Sequence, residues 1–199
     1  MAESLLPCVE INPAQPAKNC VIWMHGLGDS GHGFAPIVPE LKIPDDLAVR
    51  FVFPHAPERP VTVNGGMRMR AWYDIKSLDF NSRADLEGVT ESANQVEKLI
   101  EHQIASGIPA ENIVLAGFSQ GGVIALHLGA RFKKKLAGIM GLSTYMCEPD
   151  LLSKDAASEN KSTPIMMGHG EQDEVVPVFL GNAAAKVLEQ NGFNVTWHT

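Results

Sequence analysis

From Asn112 to Gly122 the chain reads N-I-V-L-A-G-F-S-Q-G-G, and no other stretch restricts the possible folds so strongly. Ile113, Val114 and Leu115 favour a strand, whereas Val123, Ile124, Leu126 and Leu128 beyond the serine fall on a helical face. A strand that ends at a glycine, places one serine and reopens as a helix has the form of a G-x-S-x-G elbow. There the serine sits at the apex in a strained backbone conformation with its hydroxyl exposed. Gly117 and Gly121, two residues either side of Ser119, leave room for strand and helix to approach each other. Ser119 is therefore the candidate nucleophile. The plainer alternative is a glycine-rich turn that merely packs tightly, and only the surrounding sequence separates the two.

The surroundings alternate strand and helix. Cys8 to Ile11 reads as a short edge strand, Asn19 to His25 as a buried strand, and Leu47 to Phe53 as another, with a short helix from Phe34 to Leu41 between the last two. Val61 to Phe80 reads as a long loop with a turn at Asn64-Gly65-Gly66. Its M-R-M-R-A-W-Y-D-I segment puts Met69 and Trp72 either in the core or facing a substrate. Val89, Ala93, Val96, Leu99 or Ile100, and Ile104 recur at helical steps until Gly107 and Pro109 stop the run. After Ser119 come a helix over Gly121–Ala130, a strand over Leu136–Leu142, a polar stretch, a strand over Pro164–Gly168, a helix over Phe179–Asn191 and a strand over Asn194–His198. That order predicts an α/β domain spanning residues 1–199, with a mostly parallel twisted sheet and helices on both faces.

A chain of 199 residues with 45% hydrophobic and 20% charged residues has enough core to fold without staples. Cys8, Cys20 and Cys147 are odd in number and lack C-x-x-C spacing, which argues against a disulfide framework or a zinc site. With no leader-like start and no long apolar run, a cytoplasmic protein without stable membrane insertion is expected. A net charge of −7 disfavours nucleic acid, and the short basic cluster of Arg131 and Lys133 to Lys135 reads as a solvated helix end.

The strand ending at His25 runs into H-G-L-G-D-S-G-H-G. Glycines there expose backbone N–H groups to a ligand oxygen, and without a P-loop lysine or a G-x-G-x-x-G pattern an oxyanion hole is favoured over a phosphate cradle. A serine nucleophile needs a histidine base oriented by a carboxylate, in the chain order Ser, acid, His for an α/β-hydrolase. Asp173, in the loop leaving the Pro164–Gly168 strand, is the preferred acid over Glu171 and Glu174. His25, His32, His55, His102, His127 and His169 all precede it and read as loop, surface or core residues. His198 follows it, but inside the final strand rather than on a loop beyond one.

H-G-L-G-D-S-G-H-G, A-W-Y-D-I, G-F-S-Q-G-G and H-G-E-Q-D-E-V-V-P together resemble the phospholipase/carboxylesterase family, which includes the acyl-protein thioesterases and bacterial carboxylesterases. The resemblance implies the α/β-hydrolase fold, Ser119 as nucleophile, Asp173 as acid, and the backbone N–H groups of Leu27 and Gln120 as the oxyanion hole. It further implies that Ile75 and Val175 line an acyl pocket and that His169 is structural. Family members continue past a segment like V-T-W-H-T into a loop with the catalytic histidine and a final helix. By that comparison the single domain 1–199 lacks both, and loss of the helix is expected to expose Val195 and Trp197. The implied function is hydrolysis of carboxylic esters or thioesters of acyl chains through an acyl-enzyme, without metal or cofactor, on small acyl esters, acylated proteins or lysophospholipids. The competing expectation is a non-catalytic acyl-binding protein on the same fold.

Overall fold

The computed structural model describes residues 4–80 and 85–199. Its centre is a seven-stranded sheet built from β1 (Cys8–Ile11), β2 (Asn19–Met24), β3 (Val49–Pro54), β6 (Ile113–Phe118), β7 (Gly138–Leu142), β8 (Pro164–Gly168) and β9 (Asn194–His198). Their spatial order is β1-β3-β2-β6-β7-β8-β9, parallel throughout except for β1, which runs antiparallel along β3. The chain starts inward at β2, moves outward to β3, then returns to the other side of β2 with β6. The order therefore reverses between β2 and β6, and such a switch point opens a crevice at the strands' C-terminal ends. Met24 pairs with Gly117 at that end, so the glycine loop and the serine elbow leave the sheet side by side.

Helix α1 (Gly31–Phe34) is a single turn, continued by a 3-10 segment from Ala35 to Leu41. Helix α2 (Leu86–Ala105) spans 20 residues and buries Val89, Ala93, Val96, Ile100 and Gln103, the three- and four-residue steps expected for one apolar stripe. Helix α3 (Gln120–Gly129) is buried along its whole length, α4 (Leu152–Asp155) is one turn, and α5 (Val178–Gln190) packs beside β9. The main core lies between α2 to α5 and one sheet face, and includes Ile22, Leu115, Ile124, Ile139 and Ile165.

The opposite face is thinner. Trp23, Phe51, Phe53 and Ala116 form a second cluster under the Phe34 to Val38 segment, with Trp23 and Phe34 ring centres 5.6 Å apart. Farther across that face Phe118 is 36% exposed and Met166 40% exposed, so helical cover is heavy on one side and confined to one end of the other. Val195 and Trp197 do not lie on this open face. They pack against the main core, Trp197 lying beside His169 with ring centres 6.1 Å apart, and the alternate residues Asn194, Thr196 and His198 face solvent instead.

The expected loop from Val61 to Phe80 is partly a hairpin, β4 (Glu58–Val61) and β5 (Met67–Arg70), joined through Asn64-Gly65-Gly66 with both glycines at positive φ. Its Met and Arg side chains lack a simple apolar alternation because neither face of this small sheet is wholly buried. Met69 is half-buried against the core, and Trp72, just beyond the hairpin, is fully buried.

Candidate active site

Ser119 occupies the apex between β6 and α3 with φ 52° and ψ −117°, a conformation L-residues rarely adopt. The two glycines explain how it is tolerated. A Cβ on Gly117 would stand 2.1 Å from the Gly121 carbonyl oxygen, and one on Gly121 would stand 2.4 Å from that of Met24. The turn is tied to the next strand by the Ser119 N–H donating to the Leu142 carbonyl at 2.8 Å and by the Thr144 hydroxyl donating to the Ser119 carbonyl at 2.8 Å.

Ser119 lines a cavity of about 390 Å³ together with Gly26, Leu27, Asp29, Phe118, Ser143, Asp173, Val175 and Val176. A larger groove of about 750 Å³ near the start of β3 has no serine, cysteine or histidine in its walls. Three residues named from the sequence thus converge on one cavity, Ser119 with Leu27 and Asp173, and Val175 joins them, 71% exposed at the rim. Ile75 does not; it is packed in the main core and contributes no wall to this cavity.

The N–H groups of Leu27 and Gln120 donate to no protein acceptor among the described residues. One sits in the β2 exit loop, the other at the first position of α3, where helix geometry leaves N–H groups free. The Gln120 side chain has a role that sequence reasoning missed. Its Oε1 accepts the Trp72 N–H at 2.7 Å and its Nε2 donates to the Tyr73 carbonyl at 2.8 Å. Trp72 Nε1 in turn donates to the His25 carbonyl at 2.9 Å, and the Ser92 hydroxyl to the Trp72 carbonyl. The 71–75 segment is thereby clamped to both strand ends that form the crevice. The only local signal was an amide side chain beside Ser119.

Asp173 Oδ1 accepts the N–H groups of Val175 and Val176 at 2.9 and 2.8 Å, which fixes the carboxylate in its loop. Oδ2 lies 3.6 Å from His169 Nε2, too long for a hydrogen bond, because that nitrogen donates to the Val176 carbonyl at 2.7 Å. His169 is buried against Gly181 and holds the loop that carries Asp173. Glu171 and Glu174 are exposed and contribute no wall to the cavity.

No histidine among the described residues hydrogen-bonds to Ser119, and His169 alone approaches Asp173. His198 pairs with Gly168, in the same row as Leu142 and Phe118. At about 4.8 Å per strand, that places its backbone roughly 14 Å from the end of β6, beyond reach of Ser119. His127 is buried on α3, where burial and the nearby Arg131 guanidinium push its pKa down to about 4. Burial also pushes the thiols of Cys8, Cys20 and Cys147 up to about 12, so none is a thiolate nucleophile near neutral pH. Among the described residues no three His, Cys, Asp or Glu side chains converge to hold a metal ion, and no helix is long and apolar enough to cross a membrane.

A parallel sheet with a strained serine elbow at its switch point, an acid on the loop two strands away and free N–H groups flanking the serine define an α/β-hydrolase. The chain belongs to the phospholipase/carboxylesterase family, whose pattern matches residues 7–199, and it is a hydrolase. It is 44% identical over 191 residues to acyl-protein thioesterase 1 of Gibberella zeae, covering 90% of this chain and 80% of that one. It is also 41% identical to acyl-protein thioesterase 1 of Yarrowia lipolytica, covering 96% and 86%. Among solved structures, SOBER1 of Arabidopsis thaliana superposes with a TM-score of 0.85 at 33% identity, covering 92% of this chain and 88% of that one. Acyl-protein thioesterase 2 of Zea mays superposes with a TM-score of 0.83 at 29% identity, covering 96% and 88%.

Proposed function

We propose that the protein cleaves carboxylic esters or thioesters of acyl chains through an acyl-enzyme on Ser119, with acylated proteins, lysophospholipids or small acyl esters as substrates. The observation that carries this reading is the strained Ser119 sharing one cavity with Asp173 and with the unpaired Leu27 N–H. Acyl-protein thioesterases at 41–44% identity support the substrate class.

In the proposed reaction the Ser119 hydroxyl oxygen attacks the acyl carbonyl carbon while an imidazole takes its proton. The negative charge that develops on the carbonyl oxygen is met by the N–H groups of Leu27 and Gln120, dipoles already in place before the reaction. The imidazole then gives its proton to the departing thiolate or alkoxide, and water repeats the cycle on the acyl-enzyme to release the acid. Asp173 orients the imidazole and stabilises its charged form. Among the described residues no histidine enters the cavity that Asp173 and Ser119 share. The scheme employs no cofactor, and three free cysteines are compatible with a cytoplasmic location.

A non-catalytic acyl-binding role is the reading that the distance of His198 from Ser119 would favour. Replacing Ser119 by Ala in the full-length protein separates the two. Hydrolysis of short p-nitrophenyl esters should fall by at least about 10³-fold with acyl-ligand binding retained. Unchanged turnover would remove Ser119 from the mechanism, and absence of turnover in the unaltered full-length protein would leave binding alone.

A further inference from the structure

We propose that His25 is a positioning residue that sets the direction of the Leu27 N–H, and so builds half of the oxyanion hole without touching substrate; this rests on the catalytic reading above. The inference starts from the geometry of a single peptide unit. In a trans peptide the carbonyl of one residue and the N–H of the next lie in one plane and point opposite ways. Whatever holds the Gly26 carbonyl therefore aims the Leu27 N–H in the opposite direction.

The Gly26 carbonyl is held by the imidazole of the preceding residue. His25 Nδ1 lies 2.6 Å from that oxygen, while Nε2 lies 3.0 Å from the Ala56 N–H. A backbone N–H can only donate, so Nε2 is the acceptor and the proton of the neutral ring is on Nδ1, donating to the Gly26 carbonyl. Burial keeps the ring's pKa below the usual histidine range, consistent with a neutral ring. The ring has no freedom to leave this arrangement. It is fully buried and packs on Trp72 with ring centres 5.3 Å apart, and Trp72 Nε1 donates to the His25 carbonyl.

The peptide so fixed lies directly against the nucleophile. A Cβ on Gly26 would stand 3.6 Å from the Ser119 Cβ, and Leu27 lines the cavity with its N–H unpaired. Left free, the 26–27 peptide could rotate and put a carbonyl dipole, rather than an N–H, towards the developing oxyanion. Glycine at 26 offers little resistance to that rotation, which is why an external hold is needed. A histidine merely filling core space would serve equally well with either nitrogen protonated, and on that point the two roles part.

The test uses two near-isosteres in the full-length protein with p-nitrophenyl butyrate. Asparagine places its amide nitrogen near the Nδ1 position, so His25→Asn keeps the donor to Gly26 and loses the acceptor for Ala56. His25→Gln places its amide oxygen near Nε2, so it keeps that acceptor and loses the donor. Outright loss of one oxyanion donor costs about 10²–10³ in kcat, and His25→Gln leaves the Leu27 N–H present but free to turn away, so it should lose on the order of 30- to 100-fold in kcat with KM within about threefold. His25→Asn should stay within about fivefold of the unaltered enzyme, and crystal structures should show the 26–27 peptide rotated only in the Gln variant. Equal kcat losses in the two variants, or a Gln variant with unaltered kcat, would overturn the assignment. The ring ¹⁵N shifts of the unaltered protein supply a check independent of variants and of turnover. They should report the Nδ1–H tautomer, and an Nε2–H tautomer would overturn the proposal even if Ser119 is confirmed as nucleophile.

Discussion

Gly121→Ala should damage the site and the fold together, in proportions set by where the new methyl falls. The added Cβ would stand 2.4 Å from the Met24 carbonyl oxygen, 2.6 Å from that of His25 and 2.7 Å from the Met24 carbonyl carbon. Ordinary contacts are about 3.5 Å, so α3 and the end of β2 must separate by roughly 1 Å. The obstructing atoms are all backbone at the end of a paired strand, and no side-chain rotation relieves them. Overpacking of this kind costs about 1–3 kcal/mol. For a chain of this length each kcal/mol lowers the melting temperature by about 2–4 °C, which gives an expected fall of about 2–12 °C. The catalytic loss should be disproportionate. The two proposed oxyanion donors stand on opposite sides of the clash, Leu27 beyond β2 and Gln120 at the start of α3. A displacement near 1 Å in a positioned site costs about 10²-fold in rate. The assay is thermal melting alongside kcat and KM for a p-nitrophenyl ester. Gly138→Ala is the control, because its Cβ would meet nothing closer than 3.7 Å. Unaltered kcat and melting temperature in Gly121→Ala, or equal harm from Gly138→Ala, would refute the reasoning.

Three further outcomes follow from other parts of the molecule. Asp173→Asn should lower kcat by about 10³–10⁴ with little change in KM, because the base would lose its charged partner while the turn at Val175 and Val176 keeps an acceptor; steady-state kinetics decide it. His127 is held neutral with its pKa pushed down to about 4 against an ordinary 6.5. The unfolded chain therefore binds the proton first as pH falls, and stability present above pH 6.5 is lost towards pH 4 by roughly 3 kcal/mol. Urea unfolding at pH 7 and pH 4.5 should show that loss reduced in His127→Gln, and an identical pH dependence in the variant would exclude His127 as its source. Asn160, fully buried, accepts from the Leu136 N–H and the Thr163 hydroxyl and donates to the Phe132 and Lys134 carbonyls. Asn160→Ala strands these partners, and a loss of about 3 kcal/mol, hence roughly 6–12 °C in melting temperature, is expected by calorimetry; a change under about 2 °C would show that water replaces the amide at no cost.

The parts of the structure legible in the sequence were those where one local pattern has one physical use. The apolar run from Pro164 to Gly168 gave β8 to the residue, the alternating Asn194 to His198 after Gly192 gave β9, and the spacing from Val89 to Ile104 located α2, because burial on one face imposes a period. The elbow was legible because Gly117 and Gly121 are demanded by backbone approach, not by side-chain preference. The hairpin at β4 and β5 was hidden, since a ribbon with no wholly buried face carries no strict alternation and only its Asn64-Gly65-Gly66 turn speaks. The expected exposure of Val195 and Trp197 was not met, because the strand's facing depends on register with β8, a long-range property that residues 194–198 do not carry themselves. At the site, loop position favoured Asp173 over Glu171 and Glu174, and of the three only Asp173 lines the cavity, but the clamp of Gln120 on Trp72 and Tyr73 joins residues 47 and 48 apart, and nothing local announces it.

Whether Ser119 carries the acyl group is read most directly by mass spectrometry of the full-length protein. Quenching during turnover of a slowly deacylating p-nitrophenyl ester should add one acyl mass, and peptide mapping should place it on the peptide containing Ser119. The adduct should be absent in Ser119→Ala. Turnover that continues with no adduct, or an adduct on another residue that persists when Ser119 is replaced, would contradict Ser119 as the nucleophile.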